Sequence, residues 1–487
     1  MPRRVMHTTG AAAEALHDAL RDLRAELGVP TDFPAAVLAE ADRTAAAPRL
    51  PDADATHLPL FTVDPLGSRD LDQAMHLARR DGGGYRVHYA IADVAAFVAP
   101  GGTLDSEAHR RVQTLYFPDG TVPLHPPALS EGAASLLPDR TVPALLWRID
   151  LDADGRTASV DVRRALVRSR AALDHATAQC RIDDGTAEES LALLQDIGLL
   201  REALERARGG ISLSVPEQEI TTSDGGYALA YRVPLPVERW NAQLSLLTNM
   251  AAADLMAAAG TGVLRTLPTA PVGAVARLRL TARALRIDWP HHVSYADLVR
   301  SLDPHDPRDA AFLQECTTLL RGAGYHVFTG GRLPDPAVHA AVAHTYTHCT
   351  APLRRLVDRY AGELCVAACA GSGVPEWVLT ALDDLPAEMT GGARRAAAVE
   401  RECVDLVEAA LLNGRVGEVF DGQVIDVRDD DPATGTVQLR DPAVVARVTA
   451  DGARAGSLPL GEPLRVRLTR ADPAARPGTA RVLFSAV

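Results

Sequence analysis

The chain has 487 residues, which corresponds to roughly three domains of ordinary size. Its composition, 47% hydrophobic and 23% charged, excludes a disordered chain, a collagen-like repeat and a small disulfide scaffold. The net charge of -13 excludes a protein that coats nucleic acid over its whole surface, although it permits a local basic groove. All 50 Lys-or-Arg positions are arginine, which a GC-rich coding bias explains more readily than phosphate binding.

Cysteine usage and hydropathy point to an ordinary soluble protein. The six cysteines do not indicate a disulfide framework or a zinc site, and Cys365 and Cys369 are predicted to be two buried thiols on one helix face. Residues 1–7 contain two arginines but no apolar segment, so we expect no secretory signal. No apolar stretch reaches about 18 residues, so we expect no membrane span, no membrane partner and a cytoplasmic location.

The spacing of apolar residues changes along the chain between helical and strand-like patterns. In chain order we predict a helical segment at residues 10–48, strands from 59 to 167, helices at 168–207, a hairpin at 211–233, and helices at 240–259, 309–323, 352–371 and 393–413. Two turns, Asp152-Ala153-Asp154-Gly155 and Asp224-Gly225-Gly226, are predicted to join hairpins, the first between residues 144–151 and 157–167.

After Gly414 the pattern returns to short strands separated by turn residues. These strands are predicted at residues 416–427, 435–440, 443–449 and 463–469. Short strands of this kind in a segment of about 70 residues favour a small β-barrel of the OB type.

The strongest chemical pattern is the acidic stretch at residues 64–74, DPLGSRDLDQA. Asp70 and Asp72 are two residues apart, so on an extended strand both would point to one face. A loop could fold Asp64 back beside them. Three carboxylates without His or Cys favour Mg²⁺ or Mn²⁺ as the bound metal ion. Such an ion can activate a water molecule for the hydrolysis of a phosphodiester. On spacing alone, an acidic turn that caps a strand fits equally well.

The acidic stretch resembles the signature of the RNB catalytic domain of the ribonuclease II and ribonuclease R family of exoribonucleases. Four further blocks resemble family motifs in the family's order: 88–98 (HYAIADVAAFV), 114–118 (TLYFP) followed by Pro123, Ser130 and 135–138 (SLLP), 346–355 (YTHCTAPLRR), and Glu400-Arg401 with Asp405. Five ordered blocks make the resemblance specific. It covers roughly residues 57–410.

The resemblance implies an α+β fold in three parts. The RNB-like domain at residues 57–413 would be a mixed sheet with packed helices enclosing an RNA channel, and an OB-fold-like β-barrel would follow at 414–487. Residues 1–56 would be an N-terminal helical segment. The family's pair of N-terminal OB domains is expected to be absent, which would weaken the anchoring of long RNA.

The resemblance also implies the roles of the acidic residues. Asp64, Asp70 and Asp72 would hold Mg²⁺ (or Mn²⁺), and Asp72 would be catalytic. Gln73 stands where the family has a fourth aspartate. Its amide can offer an oxygen to a metal but carries no charge and cannot act as a base, so we expect weaker metal binding or the loss of one of two ions.

Three residues outside the acidic stretch are implied to bind substrate. Arg354 would brace the scissile phosphate and neutralise its charge, whereas the residues alone favour an i,i+4 pair with Asp358 on a helix surface. Tyr116 would stack on the 3′-terminal base, although it could equally pack in the core. Glu400 would lie near the terminal sugar.

Four other titratable residues are predicted to be structural. Asp93 lies in an apolar strand and is expected to be buried. His88, His344 and His348 are expected to be core histidines and not ligands.

Together these features predict a Mg²⁺-dependent hydrolytic 3′→5′ exoribonuclease on single-stranded RNA that releases nucleoside 5′-monophosphates, with no protein partner evident. Two alternatives stay open. Gln73 and the acidic net charge also fit an RNA-binding RNB protein whose catalysis is weakened or lost. The missing OB domains fit a phosphodiesterase for very short oligonucleotides.

Overall fold

A computed structural model describes residues 11–487, except residues 214, 216, 224–225, 272, 321, 429, 440–441, 443 and 451–456. The predicted turn at Asp224-Gly225, the N-terminal residues 1–10 and one end of each predicted strand at 435–440 and 443–449 therefore lie outside the described residues.

Helices and strands alternate along the chain. The α-helices are α1 Ala11–Glu26, α2 Ala35–Ala46, α3 Thr103–Arg111, α4 His175–Asp183, α5 Glu189–Ala207, α6 Pro236–Ala259, α7 Ala274–Ala284, α8 Tyr295–Ser301, α9 Pro307–Cys316, α10 Leu356–Ala370, α11 Glu376–Leu382 and α12 Leu385–Leu412. The strands are β1 Leu60–Asp64, β2 Gln73–Arg79, β3 Tyr85–Ala92, β4 Leu115–Phe117, β5 Gly120–Val122, β6 Thr141–Leu151, β7 Thr157–Asp174, β8 Glu217–Ser223, β9 Gly226–Arg232, β10 Gly262–Thr266, β11 Gly324–Phe328, β12 Val338–His339, β13 His344–Thr345, β14 Val419–Val427, β15 Thr434–Leu439, β16 Val445–Thr449, β17 Pro463–Ala471 and β18 Val482–Ala486.

The first five long strands close into a barrel in the order β1-β2-β3-β6-β7. Four of the neighbouring pairs are antiparallel, and β1 closes the barrel by pairing with β7 in parallel. The register places Met75 opposite Tyr89 and Tyr89 opposite Trp147. The predicted turn at residues 152–155 joins β6 to β7, where Gly155 has a positive φ of 79°. The barrel is therefore a mixed sheet, as the resemblance to the RNB family implies.

Alternate residues of these strands lie on the two faces of the barrel. Tyr89 and Trp147 belong to a large hydrophobic cluster with residues of α5, α6 and α10, so this face points outward to the helices. Ala74, Ala90 and Ala144 belong to a separate cluster, which therefore fills the interior. Small side chains suit a barrel of only five strands because its interior is narrow.

The C-terminal strands form a second closed barrel in the order β14-β15-β16-β18-β17. This confirms the predicted barrel of OB type. Its core shares one hydrophobic cluster with α1 and α12. The Glu408 carboxylate accepts the Val445 backbone N–H at 3.0 Å, and the Glu402 carboxylate accepts the Gly478 N–H at 2.8 Å. The second barrel is thus packed on the long helix α12.

The N-terminal helices pack on the elements around the first barrel. Leu16 and Leu20 of α1 join the cluster formed by α12 and β4. Arg24 lies over the Phe117 ring at 4.2 Å and forms an ion pair with Asp119. These contacts hold α1 against the hairpin of β4 and β5.

Several sequence predictions of secondary structure were wrong. Residues 103–111 form α3 inside the region predicted as strands. Residues 168–174 extend β7 instead of starting a helix, because pairing with β1 overrides their alanine-rich pattern. Helix α12 begins at Leu385, eight residues early, and helices α7, α8 and α11 were not predicted.

The other global predictions can be compared with the described residues. None of the described helices is long and apolar enough to cross a membrane. All six cysteines are free thiols, and of the pair on α10, Cys365 is buried whereas Cys369 is half-buried.

Candidate active site

Asp72 lies immediately before β2, and its carboxylate is held by the segment that precedes α10. Oδ1 accepts the Leu353 backbone N–H at 2.7 Å, and Oδ2 accepts the Arg354 Nε–H at 2.6 Å. The Asp72 side chain is 1% exposed, whereas that of Arg354 is 29% exposed. The pair therefore combines a fully buried carboxylate with a guanidinium that reaches the surface.

Electrostatics differ between the two partners. Burial raises the pKa of the Asp72 carboxyl, and Arg354 and the Leu353 N–H oppose that rise. Burial lowers the pKa of Arg354, but the attraction of Asp72 and Tyr116 outweighs it and raises the pKa overall. The guanidinium is therefore a fixed positive charge.

A short backbone pairing brings β4 to this ion pair. The Thr114 N–H donates to the Arg354 carbonyl at 2.9 Å, and the Leu356 N–H donates to the Val112 carbonyl at 2.9 Å. Tyr116 lies two residues after Thr114, the residue that contacts Arg354, and is therefore close to the ion pair. The pairing explains why residues 238 positions apart in the chain meet at one place.

Tyr116 sits on the outer side of β4. Its neighbours Leu115 and Phe117 are buried in the cluster with α12, and alternation turns the half-buried Tyr116 side chain the other way. Its hydroxyl faces the Arg354 guanidinium. That hydroxyl is buried and makes no hydrogen bond of normal geometry to a described group. Tyr116 therefore belongs to the Asp72–Arg354 site, and its stacking role stays a prediction.

Gln73 is clamped by its neighbours. Its Oε1 accepts the Tyr89 hydroxyl at 2.7 Å and the Ser245 hydroxyl at 3.3 Å, and its Nε2 donates to the Thr350 carbonyl at 2.6 Å. The amide thus links β2 and β3 to α6 and to the segment before α10. Both ends of the amide are used by the protein, so Gln73 is a structural link in this arrangement.

Asp64 and Asp70 complete the acidic set of the sequence. Asp64 is the last residue of β1. Burial is the main cause that raises the pKa of the Tyr89 hydroxyl, and the negative charge of the nearby Asp64 raises it further. Asp70 lies in the half-exposed loop before β2, and not on an extended strand as predicted. Both residues already interact with other groups of the protein.

The described residues do not fit a ready-made magnesium site. No three His, Cys, Asp or Glu side chains in the described part of the chain are grouped so that they could hold a metal ion. Both oxygens of Asp72 and both ends of the Gln73 amide are engaged in hydrogen bonds. The predicted ligand set is therefore not brought together around one centre, and the need for Mg²⁺ or Mn²⁺ stays a prediction.

The last predicted site residue is Glu400. Glu400 is exposed on α12, next to Val399, which packs in the cluster with β4. Its role at the terminal sugar stays a prediction.

Two predictions about ion pairs have clear outcomes. The helix-surface pair of Arg354 with Asp358 is wrong, because Arg354 lies before α10 and binds Asp72. It is Arg355 that binds Asp358, and this carboxylate also accepts the Ala351 N–H at 2.8 Å. Asp93 is buried as predicted, and it binds Arg164 at 2.8 Å.

The three histidines differ from one another. His348 is hydrogen-bonded to Tyr325 and burial lowers its pKa well below the usual value. His88 is half-buried, and its ring stacks on that of His76 at 5.8 Å. His344 is not a core residue, because its side chain is 39% exposed.

Sequence reasoning missed the residues that hold the site in place. Tyr89 and Ser245 clamp Gln73, and Asn249 accepts the Cys349 N–H at 2.8 Å. The hairpin register offered a signal for Tyr89, since Gln73 is opposite Ile91 and Tyr89 is therefore its diagonal neighbour. The pattern of α6 offered no such signal for Ser245.

Comparison with known protein families is consistent with this geometry. The sequence model of the RNB domain matches residues 53–369. The chain belongs to the RNB-domain family. A second family model, the RNase II-type exonuclease C-terminal S1 domain, matches residues 418–484, which include most of the second barrel.

Individual relatives of the RNB chain are distant in sequence and close in fold. It is 27% identical to ribonuclease R of Escherichia coli over 407 residues, which cover 77% of this chain and 48% of that protein. The structure of Mycoplasma genitalium RNase R in complex with ribose-methylated single-stranded RNA has a TM-score of 0.83 at 18% identity and covers 97% of this chain and 78% of that one. Yeast Ssd1, a pseudonuclease, has a TM-score of 0.66 at 17% identity, covering 92% of this chain and 56% of that one. The chain thus spans about half the length of this curated relative.

Proposed function

We propose that this RNB protein is a hydrolytic 3′→5′ exoribonuclease that acts on single-stranded RNA and releases nucleoside 5′-monophosphates. The observation that carries the proposal is the union of Asp72, Arg354 and Tyr116 at one place in the fold. These residues match the RNB motifs, and they offer an anion, a fixed cation and an aromatic ring side by side.

Each of the three side chains has a role that follows from its surroundings. Arg354 would bind a phosphate oxygen of the RNA with the guanidinium nitrogens that do not contact Asp72. Its fixed charge would stabilise the negative charge that develops on that phosphate. Tyr116 would stack on the terminal base, which holds the 3′ end without selecting a sequence.

Asp72 would orient this arrangement. Its bond to the Leu353 N–H and its bond to Arg354 fix the guanidinium relative to the backbone before α10. Substitution of Asp72 is therefore expected to abolish cleavage.

A second candidate function is RNA binding without cleavage. The clamp on Gln73 favours it, because an uncharged amide held by three hydrogen bonds replaces a fourth acid of the family motif. The fold similarity to Ssd1, a pseudonuclease, shows that this fold occurs without nuclease activity.

One assay distinguishes the two functions. A 5′-labelled single-stranded RNA of about 30 nucleotides is incubated with the purified chain in Mg²⁺, Mn²⁺ or EDTA and resolved on a sequencing gel, and binding is measured in parallel. Stepwise shortening from the 3′ end supports the exoribonuclease. RNA that is bound but stays intact in both metals contradicts it and supports the binding protein. Loss of shortening in EDTA would establish the predicted metal requirement.

Variants assign the activity to this site. Asp72→Asn should abolish shortening, and Arg354→Met should slow it by roughly 10²–10³-fold, the usual cost of removing one such electrostatic stabiliser. Asp196→Asn and Arg308→Met are matched controls, because both residues lie on exposed helix surfaces. Full activity in Asp72→Asn would refute the proposed site.

A further inference from the structure

A cavity of about 620 Å³ opens between α5, α6 and the start of β7. Its floor is aliphatic and includes Val160, Leu204, Leu247, Met250 and Leu255. Arg201 and Arg208 also line it. Small-molecule sites have a similar size and a similar mixture of apolar walls with a few polar groups.

This cavity is separate from the Asp72–Arg354 site. Ser245 and Asn249 are four residues apart on α6 and face Gln73 and the segment at residues 346–350. Leu247, Met250 and Leu255 of the same helix face the cavity. Two sides of one helix therefore line the two sites.

The two arginines use only part of their hydrogen-bonding capacity. Arg201 is 5% exposed, and only its Nη1 is bonded, to the Gly155 carbonyl at 2.9 Å, while its buried Nε has no partner. Arg208 Nε donates to the Val342 carbonyl at 2.8 Å, and its buried Nη2 has no partner. Within the described part of the chain, neither arginine forms an ion pair.

The Glu205 carboxylate compensates this pair of cations in part, and Asp254 also lines the cavity. Burial and, after it, the charge of Arg208 lower the pKa of Arg201 to about 10, against the opposing effect of Glu205. The Glu205 carboxylate accepts hydrogen bonds from the neutral side chains of Ser212 and Gln243, so it acts on the two arginines only through its charge. Buried charged donors without partners are costly, and a bound anion would remove that cost.

The cavity walls indicate what the anion is attached to. None of the described side chains that line the cavity is Phe, Tyr or Trp. A nucleotide base gains most of its affinity by stacking on such rings, so the aliphatic floor disfavours a nucleotide. An aliphatic chain of medium length matches the floor and would bury its surface there.

We propose that this cavity binds a small aliphatic carboxylate, with the carboxylate on Arg201 and Arg208 and the chain on the floor formed by α5 and α6. The carboxylate matches the planar, forked geometry of the guanidinium groups.

Isothermal titration of the full chain with decanoate tests this site. Decan-1-ol has the same aliphatic chain without the charge. Adenosine 5′-monophosphate has an anionic group but carries a nucleoside in place of the aliphatic chain. We expect saturable binding of one decanoate per chain and at least tenfold weaker binding of decan-1-ol. The nucleotide, a product of the proposed exoribonuclease that would bind at the Asp72–Arg354 site, should not compete with decanoate. Equal binding of decan-1-ol, displacement of decanoate by the nucleotide, or no binding of decanoate would overturn the proposal.

Substitutions locate the bound compound. Ala258 lines the cavity from an exposed position on α6, so Ala258→Trp should block the floor without disturbing a buried residue. Ala259→Trp is the matched control, because Ala259 is exposed and does not line the cavity. Ala258→Trp and Arg208→Gln should each weaken decanoate binding about tenfold or more, as expected for a lost charge-assisted contact. Unchanged binding in both variants would place decanoate elsewhere and refute the site.

Discussion

Replacing Gln73 by aspartate restores the acid of the family motif but removes the clamp seen here. Aspartate cannot donate a hydrogen bond, so the Thr350 carbonyl would lose its partner at 2.6 Å. Thr350 is only 3% exposed, which keeps water from replacing that partner. The new charge would also lie in the neighbourhood of Asp64, which interacts with Tyr89.

The magnitude follows from these contacts. A buried acceptor left without a donor costs about 1–3 kcal/mol. The Tyr89 hydroxyl keeps the Ser245 hydroxyl as a partner at 3.0 Å, so losing its contact with residue 73 does not leave it unsatisfied. We therefore expect Gln73→Asp to lower the free energy of unfolding by about 1–3 kcal/mol in EDTA. If the added charge creates a metal site, saturating Mg²⁺ should recover about 2.7 kcal/mol at 100 times the dissociation constant.

Urea unfolding followed by tryptophan fluorescence, in EDTA and in Mg²⁺, measures both effects. Gln73→Glu also lacks a donor and should show the same loss in EDTA. Gln314→Asp changes an exposed residue of α9 and is the control for the substitution itself. The reasoning would be refuted if Gln73→Asp in EDTA were as stable as the parent chain, within the roughly 0.5 kcal/mol of an ordinary surface change.

Three further predictions follow from single contacts. In fluorescence anisotropy, Tyr116→Ala should weaken binding of an RNA 3′ end by roughly 1–3 kcal/mol, the contribution of one stacked base, whereas Tyr116→Phe should bind like the parent chain. An affinity of Tyr116→Ala equal to that of the parent chain would contradict the stacking role. Burial lowers the pKa of His125 to about 3, and Arg359 adds to this, so between about 6.5 and 3 only the unfolded chain takes up the proton. The free energy of unfolding should therefore decrease as the pH is lowered through that window, by on the order of 4 kcal/mol from this group. In urea titrations, His125→Asn should make this pH dependence less steep. A Cβ at Gly198 would lie 2.5 Å from the Trp240 Cβ, so Gly198→Ala should destabilise the packing of α5 on α6 by about 1–3 kcal/mol, whereas Gly391→Ala on α12 meets nothing within 4 Å and should stabilise the helix slightly.

Local patterns were enough to predict much of the fold. The turn at residues 152–155, the end of α6 just before Gly260 and the short strands after Gly414 are all encoded within a few neighbouring residues. Such elements depend on local turn chemistry and apolar spacing, which a sequence displays directly. Residues 168–174 show the limit, because their strand conformation comes from pairing with β1, more than 100 positions away.

The sequence by itself determined which residue types the site contains and their order along the chain: the acids of residues 64–72, Gln73, Tyr116 and Arg354. Only the tertiary structure decided their partners. It directs Arg354 to Asp72 and not to Asp358, and it locks Gln73 against Thr350. The physical reason is that a buried charge or amide must be satisfied by whichever group the fold brings within about 3 Å. Here those groups come from segments nearly 300 residues apart, and no local spacing encodes their meeting.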